Sequence, residues 1–93
     1  MVILDELEEV LRSRRTASPE ESYTARLLAD PELVQRKIME EAFEVCLELG
    51  RDPNDPTLTA QEAADLLYHL LVGLVSVDVA LRDVLAVLEA RRS

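Results

Sequence analysis

Apolar residues recur at three- and four-residue steps along most of the chain, and no segment alternates as a half-buried strand would. Over residues 2 to 14, Ile3, Leu4, Leu7, Val10 and Leu11 fall on one side of a predicted amphipathic helix. RRTASPEES, 14 to 22, breaks that pattern at Ser18-Pro19. SYTARLLA, 22 to 29, fits a short helix capped by Ser22. Asp30 as cap, Pro31 at the first helical position and Glu32 in the first turn open a long helix. It runs to about Leu49 and stops at Gly50. RDPNDPT, 51 to 57, reads as a loop. A third main helix follows from about Leu58 to Ser76, with Thr57 or Thr59 as its cap, and a last one from about 80 to 92. The expected fold is all-α: an antiparallel helical bundle of four main helices in one domain spanning 1–93.

The third helix has an unusual polar pattern. QEAADLLYHLLVG, 61 to 73, is mostly apolar yet carries Glu62, Asp65 and His69. On a helical wheel these three share one narrow sector with Leu58, about 60° wide. Ala63, Leu66, Leu67, Leu70, Leu71, Leu74 and Val75 fill most of the remaining circumference. This is a polar stripe on an apolar cylinder, the reverse of an ordinary surface helix. The preceding helix offers a matching strip. Glu41, Glu48, Lys37 and Glu44 follow one another around the wheel beside Val34, again within about 60°.

Each helix thus presents two acids three apart, Glu41-x-x-Glu44 and Glu62-x-x-Asp65. Side-by-side packing would bring four carboxylates together. Such hard oxygen ligands suit Mg²⁺, with Mn²⁺ as a substitute, and leave positions for water and substrate phosphates. The competing reading is a solvated acidic face with Lys37 and Arg36 as ordinary partners. A di-iron bundle would need histidine three after the glutamate, where Asp65 stands. His69 reads as a hydrogen-bonded core residue. Met39, Phe43 and Cys46 form a second apolar face, and Cys46 reads as plain core.

A net charge of −9 argues against nucleic acid as a partner, since backbone binding needs clustered cations. The lone cysteine permits no internal disulfide, which suits a reducing, cytoplasmic setting. MVILDELEEV lacks a basic n-region, and no apolar run reaches membrane-spanning length. A third helix apolar on most sides leaves Leu70, Leu71, Leu74 and Val75 partly bare in a chain of 93 residues, so a two-fold homodimer is expected.

SYTARLL, KIMEEAFEV and EAADLLYHLLV together resemble the phosphoribosyl-ATP pyrophosphohydrolase family of histidine biosynthesis. That family belongs to the all-α MazG-like nucleotide pyrophosphohydrolases, whose signature is E-x-x-E followed by E-x-x-D. The resemblance covers nearly the whole chain. It implies hydrolysis of the α–β phosphoanhydride of phosphoribosyl-ATP to phosphoribosyl-AMP and pyrophosphate, and it agrees with a homodimer. It implies metal ligands at Glu41, Glu44, Glu62 and Asp65. It implies substrate contacts at Arg14, Ser22, Tyr23, Thr24 and Lys37, with Glu40 near the metal; for the reaction so implied, Glu40 or Glu44 would take the water's proton, and Lys37 and Arg14 would stabilise charge on the departing pyrophosphate. Met39, Phe43, Gln61 and Ala80 depart from the family's usual residues, and none is a ligand. A house-cleaning pyrophosphohydrolase acting on dUTP or another nucleotide, and a non-catalytic dimerisation module, are the alternatives.

Overall fold

The computed structural model describes residues 2–92. They form five α-helices and a 3₁₀ turn, with no strand among them. The helices are α1 (Val2–Ser13), α2 (Tyr23–Leu28), α3 (Pro31–Leu49), α4 (Pro56–Ser76) and α5 (Leu81–Arg91), and the turn, Arg14–Thr16, follows α1. The caps of α2 and α3 are those expected. Ser22 Oγ accepts the Ala25 N–H at 3.2 Å, and Asp30 Oδ1 accepts the Leu33 N–H at 3.1 Å.

The start of α4 differs from expectation. Asp55, not Thr57 or Thr59, is the cap, and its Oδ1 accepts from both Thr57 N and Leu58 N at 3.1 Å. Pro56 takes the first helical position, so Asp55-Pro56 repeats the device of Asp30-Pro31. Two X-Pro pairs close together, 52–53 and 55–56, concealed which of them opens the helix. Thr59 Oγ1 instead donates to the Asp55 carbonyl at 2.9 Å. Asp55→Ala is expected to cost about 1 kcal/mol, lowering the thermal midpoint by about 4–8 °C. Thermal melts read by circular dichroism check this. A smaller loss than that of Thr57→Ala would contradict the cap.

α3 and α4 form an antiparallel hairpin. Gly73 on α4 faces Val34 and Ile38 early in α3, while Glu62 and Asp65 face Glu41 further along it. A Cβ at Gly73 would stand 3.1 Å from Ile38 Cδ1, so the missing side chain lets the helices approach closely. The buried core draws Leu11 from α1, Leu27 from α2, Val34 from α3, Leu71, Val72 and Val75 from α4, and Leu81 from α5.

Polar contacts tie α1 to the α4–α5 turn. Arg12 and Arg15 both reach Asp78 Oδ1, at 3.2 and 3.3 Å, and Arg15 also donates to the Val75 carbonyl. Hydrogen bonds from Arg12 and then Arg15 hold the Asp78 carboxyl below the usual range. Ala80 cannot cap α5, and Glu8 Oε2 takes the Leu81 N–H at 2.7 Å in its place.

The bare apolar surface lies only partly where the sequence put it. Leu71 and Val75 are buried within the chain, and Leu74 is half-buried. Leu70 is exposed as expected, and with it Leu67 on α4, Met39, Phe43 and Leu47 on α3, and Leu85 and Leu88 on α5. Cys46 is exposed, not core. The second apolar face of α3 exists, but nothing among the described residues covers it; Phe43 remains 63% exposed.

Candidate active site

One ligand oxygen from each of Glu41, Glu62 and Asp65 lies within 4.8 Å of the others. Glu62 and Asp65 share a face of α4 through their three-residue spacing, and the hairpin places Glu41 opposite. Glu41 is buried, Glu62 half-buried and Asp65 exposed, so the group opens to solvent on one side. Oε2 of Glu41 and Oε2 of Glu62 are buried and accept no hydrogen bond.

Unpartnered buried carboxylate oxygens are costly. The electrostatics express that cost. Burial, then the charges of Glu44 and Asp65, push the Glu41 carboxyl above its usual range, while His69 and Lys37 partly offset them. The Glu62 carboxyl is also pushed up, first by side-chain contact with Glu44, then by burial and by the charges of Glu44, Asp65 and Glu41. The positive charge at the cluster's border, Lys37, does not balance the converging carboxylates. The donor set of the cluster is all oxygen, and its orphaned atoms fit a hard divalent cation.

The other expected site residues fall into three groups. Glu44 adjoins Glu62 but stands outside the tight group of three. Lys37 borders the cluster, its Nζ 3.9 Å from Glu41 Oε1 and 3.2 Å from Glu40 Oε2. The Glu40 hydrogen bond holds the Lys37 ammonium above its usual range, against the effect of burial. Glu40 is further engaged by Arg36 at 3.9 Å. Glu48, which the wheel placed on the same strip, serves elsewhere. It is buried in a two-pronged pair with Arg51, Nε and Nη2 each at 3.0 Å, and braces the α3–α4 loop.

Tyr23, Thr24 and Ser22 arrive from the same chain on α2. Tyr23 Oη lies 3.0 Å from His69 Nε2, one helical turn beyond Asp65. Thr24 Oγ1 is hydrogen-bonded to Tyr68 Oη, and Ser22 Oγ is occupied by its capping role. Tyr68 was not foreseen. A tyrosine inside a run of leucines needs a partner for its hydroxyl, and that was the available signal. His69 is the hydrogen-bonded core residue expected. Arg14 is not brought in. Its neighbour Arg15 holds the Val75 carbonyl, ten residues and about 15 Å along α4 from Asp65. The exposed Arg14 makes no ion pair among the described residues.

A family model described as phosphoribosyl-ATP pyrophosphohydrolase matches residues 4–92. A protein named phosphoribosyl-ATP pyrophosphatase from Cereibacter sphaeroides is 48% identical over 92 residues, covering 98% of this chain and 87% of its own. One of the same name from a Ruegeria strain is 45% identical over 93 residues, covering 99% and 87%. Another, from Methylobacterium nodulans, is 46% identical over 89 residues, covering 95% and 81%.

Proposed function

The chain belongs to the phosphoribosyl-ATP pyrophosphohydrolase family, and from that premise we propose how its residues act. It hydrolyses phosphoribosyl-ATP at the α–β phosphoanhydride, giving phosphoribosyl-AMP and pyrophosphate in the synthesis of histidine. The observation that carries the reading is the convergence of Glu41, Glu62 and Asp65, two of them with orphaned buried oxygens, beside Lys37 and Tyr23. Glu41, Glu62 and Asp65 would hold Mg²⁺, with Glu44 beside them, and Mn²⁺ would substitute. A cation held by these residues would supply charge neutralisation for the triphosphate and polarisation of the phosphorus under attack.

The chain's own groups supply the rest. Glu44 would take the proton of the attacking water, a reading supported by its position beside Glu62 and outside the tight group of three. Glu40 is committed to Lys37 and Arg36, and it orients the Lys37 ammonium. Lys37 carries full positive charge at neutral pH and meets the departing pyrophosphate. Tyr23 contacts the substrate at the α2 end of the site, while Ser22 and Thr24 hold that end in place. Among the described residues no helix is long and apolar enough to cross a membrane, and the proposed setting is cytoplasmic.

A two-fold homodimer completes the bundle. It covers Phe43, Met39, Leu67 and the outer face of α5, and it returns Arg14 to an active site from the second chain. The assay is direct. Purified protein is given Mg²⁺ with phosphoribosyl-ATP, dUTP and ATP, and pyrophosphate is measured. Release from phosphoribosyl-ATP alone is the expected result; preference for dUTP would overturn the assignment. Light scattering at fixed protomer concentration reads the assembly. A fully active species of 10.4 kDa would exclude the dimer and the shared Arg14.

The raised carboxyls also predict a pH effect. Glu41 and Glu62 ionise less readily in the folded chain than in the unfolded one. Their contribution to stability is full below the ordinary glutamate value and is lost as pH rises through the raised folded values. The metal-free protein should therefore lose thermal stability as pH is raised from the ordinary glutamate value towards neutrality. Mg²⁺ competes with protons for the same oxygens. Its stabilisation, about 2.7 kcal/mol at a hundred times Kd, should be largest at the higher pH. A Mg²⁺ effect that grows as pH falls would contradict the site.

A further inference from the structure

His69 is the only histidine in the chain, it is buried, and the metal and phosphate chemistry gives it no task. Both ring nitrogens are engaged. Nδ1 lies 2.8 Å from the Asp65 backbone carbonyl, one turn back on α4. Nε2 lies 3.0 Å from Tyr23 Oη. A carbonyl only accepts, so Nδ1 must carry the hydrogen. In the neutral ring Nε2 is then bare and accepts, and the Tyr23 hydroxyl must donate to it. Tyr68 and Tyr23 meet the imidazole edge-on, with ring centroids 4.9 and 6.0 Å away, and restrict its rotation.

The consequence falls on Tyr23, whose ring is partly exposed beside the acidic cluster. A phenol has one hydrogen to give. With that hydrogen committed to His69, the Tyr23 oxygen offers only lone pairs to a bound molecule. Phosphate oxygens are also acceptors, and such a phenol cannot bond them. Its match is a donor on the nucleoside part of the substrate, a hydroxyl or an amino group.

We propose that His69 is a positioning residue that fixes the hydrogen-bond polarity of Tyr23. Held in its Nδ1–H tautomer by the Asp65 carbonyl, it makes Tyr23 an acceptor that reads a nucleoside hydroxyl or amino donor and not the phosphates. This rests on the nucleotide-hydrolysing reading for its kinetic arm, and its spectroscopic arm is independent of that reading.

The single histidine makes the first measurement clean. Long-range ¹H–¹⁵N spectra of the ¹⁵N-labelled protein, at a pH where the ring is neutral, report which nitrogen is protonated. Nδ1 protonated with Nε2 bare is the expected result, the reverse of the tautomer that free histidine favours. A protonated Nε2 would overturn the proposal, because Tyr23 would then be free to donate outward.

The second measurement uses kinetics. Tyr23→Phe removes the acceptor, and His69→Asn removes the group that polarises it. Each is expected to raise KM for phosphoribosyl-ATP about three- to tenfold, the range of one neutral hydrogen bond, with kcat within about twofold. His69→Gln keeps an acceptor near the Nε2 position and should restore most of the affinity. Combining Tyr23→Phe with His69→Asn should be no worse than Tyr23→Phe alone. Inorganic pyrophosphate, which has no nucleoside donor, should inhibit wild type and variants equally. Weaker pyrophosphate inhibition in Tyr23→Phe would overturn the proposal, as would an unchanged KM in His69→Asn. Comparing an analogue lacking the ribose hydroxyls with one lacking the base amino group identifies the donor: Tyr23→Phe should cost nothing further on the analogue that lacks it. An undiminished cost on both would also overturn the proposal. Wild type that releases no pyrophosphate at all would sink the functional reading and leave the tautomer measurement standing.

Discussion

Glu62→Gln and Asp65→Asn are each expected to lower pyrophosphate release from phosphoribosyl-ATP by at least about a hundredfold while leaving the helices formed. Both changes keep the shape of the side chain and remove its charge. A divalent cation supplies several kcal/mol of charge stabilisation in reactions of this class, and each step of about 1.4 kcal/mol is a factor of ten in rate. If the three converging carboxylates hold the cation as proposed, losing one of them forfeits a large part of that. The same changes should not weaken the metal-free fold. Glu62 is disfavoured as a carboxylate by Glu44, Asp65 and Glu41 together, so neutralising it relieves repulsion. The signature is thus a melting midpoint equal to or above wild type without Mg²⁺, and a smaller upward shift when Mg²⁺ is added. Glu48→Gln is the contrast. It removes a buried acid from the same strip of α3 as Glu41, but one paired with Arg51 away from the cluster, so it should reduce stability and spare the rate. Turnover of Asp65→Asn within tenfold of wild type would exclude Asp65 as a ligand.

How far the site was readable depended on what kind of contact made it. Glu41, Glu62 and Asp65 were legible because their spacing within each helix and the polar stripe on α4 are local facts of sequence. Their meeting needs only that two consecutive helices pack side by side, as a short loop encourages. Glu48 misled for the same reason. The wheel put it beside Glu41, but Arg51 three residues on captured it, and a wheel takes no account of which partner a side chain chooses. Arg14 and Tyr23 needed tertiary knowledge. Residues 14 to 22 carry no helical period, so nothing local says that Tyr23 lands on His69 while Arg14 stays at the far end of α4. Cys46 and Phe43 looked like core because periodicity identifies an apolar face without identifying its cover. Nothing among the described residues covers that face. Surplus apolar surface was expected on Leu70, Leu71, Leu74 and Val75; the chain buries Leu71 and Val75 for itself, Leu70 stays exposed, and the rest of the surplus lies on Leu67, α3 and α5.

Leu27→Ala is expected to destabilise the protein by about 2–5 kcal/mol and to loosen the nucleoside end of the site in the same stroke. Leu27 is fully buried, at 0% exposure, and packs in the cluster formed by Leu11, Val34, Val72 and Val75. Truncating it removes three carbons from a packed interior and leaves a cavity. At about 4–8 °C per kcal/mol for a domain of this size, the midpoint should fall by at least about 8 °C. The position of Leu27 makes the effect more than a general one. α2 has six residues, far below the length at which an isolated helix is stable in water. Its Ser22 cap contributes about 1 kcal/mol, so α2 persists chiefly because Leu27 and Ala25 pin it to the body. Tyr23 and Thr24 reach His69 and Tyr68 only while it is pinned. Leu27→Ala should therefore also raise KM for phosphoribosyl-ATP at temperatures well below its own midpoint, and it should speed hydrogen exchange in α2 relative to α3. Leu67→Ala, by contrast, truncates a side chain 47% exposed in the single chain, and its cost should be smaller unless the dimer interface covers it. Melts at one fixed protomer concentration with saturating Mg²⁺ separate the two. A Leu27→Ala midpoint within about 4 °C of wild type, less than about 1 kcal/mol, would mean that α2 is not held as described.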